Sequence, residues 1–112
     1  MMGTITGFPY LPPFFSLGYH YSKWESLTSA SRILEYNENF EVNGIPLDVL
    51  WMDIPYTDNN QYFIFSRAKF PTTLLDKLKL TMDMSRRKLV VITDPHIKKN
   101  YNYKVYSDGN FV

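Results

Sequence analysis

The sequence predicts an α/β fold, a partial (β/α) barrel of about three parallel strands with two crossover helices, and three observations carry that expectation. Leu47, Val49, Leu50, Trp51 and Met52 are apolar almost without alternation and run into Asp53. An unbroken apolar run of that length marks a strand buried on both faces, as in a parallel sheet. The same grammar recurs in Lys88-Leu89-Val90-Val91-Ile92-Thr93-Asp94, which again ends on a carboxylate. Helical patterns precede each run, so the order is strand, helix, strand, helix, strand, which implies βαβ crossovers. Three strands and two helices bury one sheet face at most and leave both outer strands unpaired. A complete barrel takes roughly 250 residues and this chain has 112, so it is expected to be a piece of something larger.

The elements follow in order. Residues 1–13 are expected to be an irregular N-terminal segment, because Pro9, Pro12 and Pro13 remove backbone donors and fix φ. Residues 14–112 form the barrel portion. Phe14 to Tyr19 reads as the first strand, followed by a polar and aromatic loop from His20 to Trp24. Thr28 or Ser29 caps a helix that runs to about Val42, with Ala30, Ile33, Leu34 and Phe40 on one side. Asn43-Gly44 stops it and Ile45-Pro46 cannot continue it. After the central strand, Asp58-Asn59-Asn60 is a turn leading into a short extra strand at Tyr62–Phe65. Pro71 opens a second helix striped by Leu74, Leu75, Leu78 and Met82. Arg86-Arg87-Lys88 reads as its solvated C-terminus, where cations complement the helix dipole. Beyond Asp94-Pro95-His96 the chain is rich in Tyr and Lys without a clear period.

Composition excludes several classes. Hydrophobic residues make up 45% and charged residues 21%, a globular balance. The net charge of +1 provides no global field for nucleic acid or membrane. With no Cys, disulfides and thiolate metal sites are out. Two distant histidines without a third ligand give no zinc site. There is no Gly-rich phosphate loop and no nucleophile elbow. Met1 to Ser16 lacks a basic start and is broken by prolines, so it does not read as a signal peptide. Aromatics at 17% suit a ring-filled core and equally a sugar-binding surface.

Asp53 and Asp94 stand where strands leave the sheet, which is where barrels bind ligands. On residue type alone they read first as strand-end turn and cap residues. Trp24 fits a rim or a packed loop, Trp51 fits the core, and His96 fits a loop near the rim.

Several ordered stretches resemble glycoside hydrolase family 31, most closely its α-glucosidase II and neutral α-glucosidase branch. They are Pro13 to His20 with Trp24, Ile45 to Ile54, Thr57-Asp58, Tyr62-Phe63, Phe70-Pro71, and Arg86 to Ile97. The resemblance implies the first three strands of a catalytic barrel. It implies that Asp53 accepts hydrogen bonds from hydroxyls of the sugar being cleaved. Ile54 and Ile92 would line the pocket wall, Trp24 its rim, and Asp94 would support its floor. Retaining glycosidases use two carboxyls about 5–5.5 Å apart. The family's nucleophile motif, W-x-D-M-N-E, is not among these residues, nor is the acid/base region, so no catalytic residue is expected here. Pro55 stands where relatives usually carry Glu or Asp.

Two function classes follow. The first is part of a retaining α-glucosidase that contributes substrate recognition, without cofactor or metal. Its ligands would be α-glucosides or the glucose residues of N-glycans, its location the endoplasmic reticulum lumen, and its partner a glucosidase II β subunit, all by resemblance. The second is a non-catalytic sugar-binding or protein-interaction module.

Overall fold

A computed structural model describes residues 2–110. Its centre is a three-stranded parallel sheet in the order β1-β2-β5, with β1 at His20–Ser22, β2 at Val49–Met52 and β5 at Lys88–Val91. Tyr21 pairs with Leu50 and Leu50 with Leu89. Helices α2 (Ala30–Val42) and α3 (Thr72–Met84) make the two crossovers. The core gathers Leu27, Ala30 and Ile33 with Leu50 and Met52 of β2 and with Leu78 and Met82 of α3. The partial, unclosed barrel of three parallel strands and two crossover helices is therefore present. A two-stranded antiparallel hairpin, β3 (Thr57–Asp58) with β4 (Gln61–Phe65), is inserted between β2 and α3.

Local chemistry accounts for these elements. Ser29 caps α2 by accepting the Arg32 N–H, and Ala30, Ile33 and Asn37 are buried on one face. The helix closes with Gly44 at φ 63°, where the Ile45 N–H reaches back to the Phe40 carbonyl and the Gly44 N–H to that of Glu41. This is the Schellman arrangement, which favours Gly because the left-handed region carries no Cβ penalty there. Helix α3 ends the same way, through Arg87 to Met82 and Arg86 to Asp83, but its left-handed residue is Arg86 at φ 56°.

Four expectations need correction. Phe14–Leu17 is a 3-10 turn and the first strand is His20–Ser22, inside the stretch expected to be a loop. Pro13 starts that turn, and its carbonyl accepts the Ser16 N–H at 2.9 Å. The strand forms where Tyr19 reaches Asp48: the Tyr19 N–H donates to the Asp48 carboxylate at 2.8 Å, and the Tyr19 carbonyl accepts from Asp48 and Val49. Met2–Thr6 forms a short helix, α1, in the segment expected to be irregular; it stops at Gly7, before the first proline. Met1, Phe111 and Val112 lie outside the described residues. A further short helix, α4, spans Lys104–Gly109.

The fourth correction concerns Arg87, which is buried rather than solvated. Its guanidinium donates to the Leu47 carbonyl, to the Asn37 carbonyl and side-chain oxygen, and to Glu41 at 2.6 Å. It ties α2 to the entrance of β2, and a charge in that position is tolerated because every guanidinium nitrogen has an acceptor and Glu41 supplies the opposite charge. Trp51 is half-buried, and its indole N–H donates to His20 Nδ1 at 2.9 Å. The two lie on neighbouring strands, on the face turned away from the helices.

Candidate functional site

In a parallel sheet every strand leaves at the same end, so the residues that follow β1, β2 and β5 share one rim. All five candidates stand there: Trp24 after β1, Asp53 and Ile54 after β2, Ile92 and Asp94 after β5. The Ile92 N–H donates to the Met52 carbonyl at 3.1 Å. That bond carries the ladder one step past β5 and sets Ile92 beside Asp53.

Asp53 is half-buried and caps the 3-10 turn Ile54–Tyr56, accepting the Ile54 N–H at 2.8 Å through Oδ1. Oδ2 has no partner among the described residues, so one carboxylate oxygen is fixed by the backbone and the other is available to accept. Pro55 follows inside the turn. Its carbonyl accepts from the Lys69 ammonium at 3.1 Å, and no carboxylate stands at that position.

An open cleft of about 530 Å³ lies at this rim, lined by Trp24, Ile54, Asn60, Tyr62, His96, Ile97 and Lys98. Trp24 is half exposed. The cleft brings together Trp24 and Ile54 among the candidates. Asp53 and Ile92 sit beside one another outside its lining, and Asp94 stands behind Tyr62. The Tyr62 hydroxyl donates to Asp94 Oδ2 at 2.5 Å. Burial, together with that carboxylate, pushes the Tyr62 phenol up to about 12. The His96 ring meets Tyr62 edge-on with centroids 5.6 Å apart. Residue reasoning gave Tyr62 and His96 no site role, because Tyr62-Phe63 and Asp94-Pro95-His96 are far apart in the sequence and meet only in the fold. Among the described residues no group of three His, Cys, Asp or Glu side chains is placed to hold a metal.

The arrangement offers an apolar, ring-lined surface with an acceptor carboxylate beside it. A pyranose presents matching groups, hydroxyl donors around its edge and C–H groups on its faces.

A parallel sheet with its helices on one side and polar groups at the strand exits defines the opening βα units of a (β/α) barrel, the class whose ligands bind at that rim. The chain belongs to glycoside hydrolase family 31, matching the model of the Glycosyl hydrolases family 31 TIM-barrel domain over residues 9–111. It is 41% identical over 107 residues to neutral alpha-glucosidase AB of Homo sapiens, covering 94% of this chain and 11% of that protein. It is also 41% identical over 103 residues to the glucosidase 2 subunit alpha of Schizosaccharomyces pombe, covering 90% and 11%. Among solved structures, a family 31 alpha-glucosidase from Bacteroides thetaiotaomicron superposes with a TM-score of 0.80 at 30% identity, over 96% of this chain and 18% of that one. The heterodimeric ER glucosidase II complex, a catalytic subunit with the binding domain of a regulatory subunit, gives a TM-score of 0.75 at 35% identity, over 87% and 10%. The chain thus spans about 11% of the length of the curated relatives it matches.

Proposed function

We propose that this chain is the substrate-recognition portion of a retaining α-glucosidase barrel. The observation that supports it best is the gathering of Asp53, Ile54, Ile92, Trp24 and Asp94 on one rim from the three neighbouring strands of the parallel sheet. In this reading Asp53 Oδ2 accepts from sugar hydroxyls while Oδ1 keeps the carboxylate aimed. Trp24 and Ile54 cover an apolar sugar face, Ile92 closes the wall beside Asp53, and Asp94 supports the floor. The 112 residues recognise the glucosyl group and do not cleave it, since hydrolysis with retention uses a nucleophile and an acid/base from elsewhere in such a barrel. The whole enzyme would act on α-glucosides, including the glucose residues of N-glycans, in the endoplasmic reticulum lumen beside a β subunit.

The test is turnover of an aryl α-glucoside by the purified 112-residue chain. No release of the phenol is expected. Turnover that disappears in Asp53→Ala would overturn the recognition-only reading.

A further inference from the structure

We propose that Tyr62 is a positioning residue of this rim: its hydroxyl latches Asp94, and with it the loop from Asp94 to Lys98, in the orientation that forms one wall of the open cleft. The role in sugar binding rests on the reading above, whereas the latch itself rests on geometry alone.

The hairpin is built to deliver this one side chain. Asn59 and Asn60 have φ of 51° and 57°, and Asp58 pairs with Gln61, so the turn is a tight two-residue type in which both central residues are left-handed. Immediately after it the ladder breaks. Thr57, next to Asp58, pairs with Phe65, so Tyr62, Phe63 and Ile64 bulge out of register. Phe63 adopts φ 68° and is 63% exposed. A bulky aromatic in the left-handed region is strained by its Cβ, and burial of Phe63 itself does not offset that strain. The gain lies next door: Tyr62 is turned inward and is only 2% exposed. Bulges beside functional sites commonly re-aim a side chain in this way.

Three attachments converge on Tyr62. Its hydroxyl donates to Asp94, its ring lies against His96, and its own carbonyl accepts from the Tyr103 hydroxyl at 2.7 Å. The stretch between β5 and α4 has no regular structure. Its other side-chain ties to the hairpin region are Tyr56 to the Ile92 carbonyl at 3.2 Å and Lys98 to the Asn59 carbonyl at 2.7 Å. The bonds of Tyr62 to Asp94 and of Lys98 to Asn59 are both charge-assisted, but the Lys98 bond is exposed to solvent, whereas the Asp94 bond is made by a side chain only 2% exposed. It leaves Asp94 Oδ1 without a partner among the described residues. Tyr62 and His96 both line the cleft, so releasing the latch changes the cleft's shape as well as Asp94's direction.

The experiment measures backbone order parameters in the 112-residue chain and in Tyr62→Phe, Asp94→Ala and the double variant, each then titrated with maltose. Rigid backbone gives values of about 0.85 and flexible backbone values below about 0.6. The expected result is that Asp94, His96, Ile97 and Lys98 fall from the first range to the second in either single variant. The double variant should be no looser than the singles, and α2 and α3 should be unchanged. Maltose affinity should weaken about ten-fold in Tyr62→Phe, the size of effect that loss of a charge-assisted hydrogen bond produces. An unchanged loop in both single variants would overturn the latch. So would loosening spread equally over the helices, or singles whose effects simply add. Equal maltose affinity in the native chain and Tyr62→Phe would overturn the positioning role. If the native chain gives no maltose response while the loop contrast holds, the latch stands and the sugar-recognition reading falls.

Discussion

The two ends of the central sheet are built on opposite terms. At the entrance of the strands, Arg87 uses its Nε and both terminal nitrogens on acceptors from α2 and from Leu47, two residues before β2. At the exit, Asp53 and Asp94 each commit one oxygen and leave the other unclaimed among the described residues. A closed set of hydrogen bonds stabilises; a half-open set is ready to bind. Barrels divide their labour along the same axis, with stability at the N-terminal face and ligands at the C-terminal face. In this unclosed sheet the hydrogen bonding differs along the same axis, engaged at the entrance and half-open at the exit. Its radius of gyration of 17.2 Å exceeds the roughly 13 Å of a compact chain this long.

The contrast breaks most sharply at Arg87. Replacing it with Met leaves buried acceptors on Asn37 and Leu47 without donors, at about 3 kcal/mol in total. Chemical denaturation should show a loss of that size, and Arg87→Lys should recover little of it because an ammonium cannot reproduce the planar fork. A loss below about 1 kcal/mol would mean that the entrance is not the stabilising end.

Gly18 is the next point. A Cβ there would stand 2.1 Å from an Asp48 carboxylate oxygen, the same oxygen that accepts the Tyr19 N–H. Gly18→Ala must displace that carboxylate and free the start of β1, costing about 2 kcal/mol. A variant as stable as the native chain would show that Asp48 does not hold the strand in place.

At the exit end the sharpening experiment is alkaline. An unfolded tyrosine titrates near 10, whereas folded Tyr62 is pushed up to about 12. Its contribution is fully present below pH 10 and is lost as pH rises towards 12, since the unfolded chain gives up the proton first. Burial pushes Tyr21, Tyr103 and Tyr106 in the same direction, while Tyr36 is lowered, first by its Ser26 hydrogen bond. Thermal midpoints should therefore fall between pH 10 and 12, less steeply in Tyr62→Phe. An identical slope in that variant would remove Tyr62 from the exit network.

The smallest effect is at Arg86, the left-handed residue that closes α3. Arg86→Gly should stabilise by about 0.5–1 kcal/mol, the relieved Cβ clash less the added unfolded-state entropy. No gain would mean that the Arg86 side chain offsets its own strain.

These contrasts also show what the sequence made legible. The apolar runs into Asp53 and Asp94 located β2 and β5, and Ser29 and Gly44 located the ends of α2, because those signals are local. The first strand was missed because its pairing depends on Asp48, 29 residues away from Tyr19. Arg87 was misread because a basic helix end looks the same whether or not its acceptors lie on another helix. The rim roles proposed for Asp53, Trp24 and the others came from family resemblance, since residue type alone did not suggest them. Tyr62 had no role until the bulge, a matter of backbone register, turned it towards Asp94.

The most direct test is a maltose titration of the isotope-labelled chain alongside Asp53→Ala, read at every amide and at the Trp24 indole. Recognition at the exit end predicts weak, saturable shifts at Trp24, Asp53, Ile54 and Ile92. Shifts are not expected at Asn37, Glu41, Leu47 or Arg87, and the response should be lost in Asp53→Ala. Shifts concentrated around Arg87, or a response that Asp53→Ala leaves intact, would contradict the assignment of recognition to that rim.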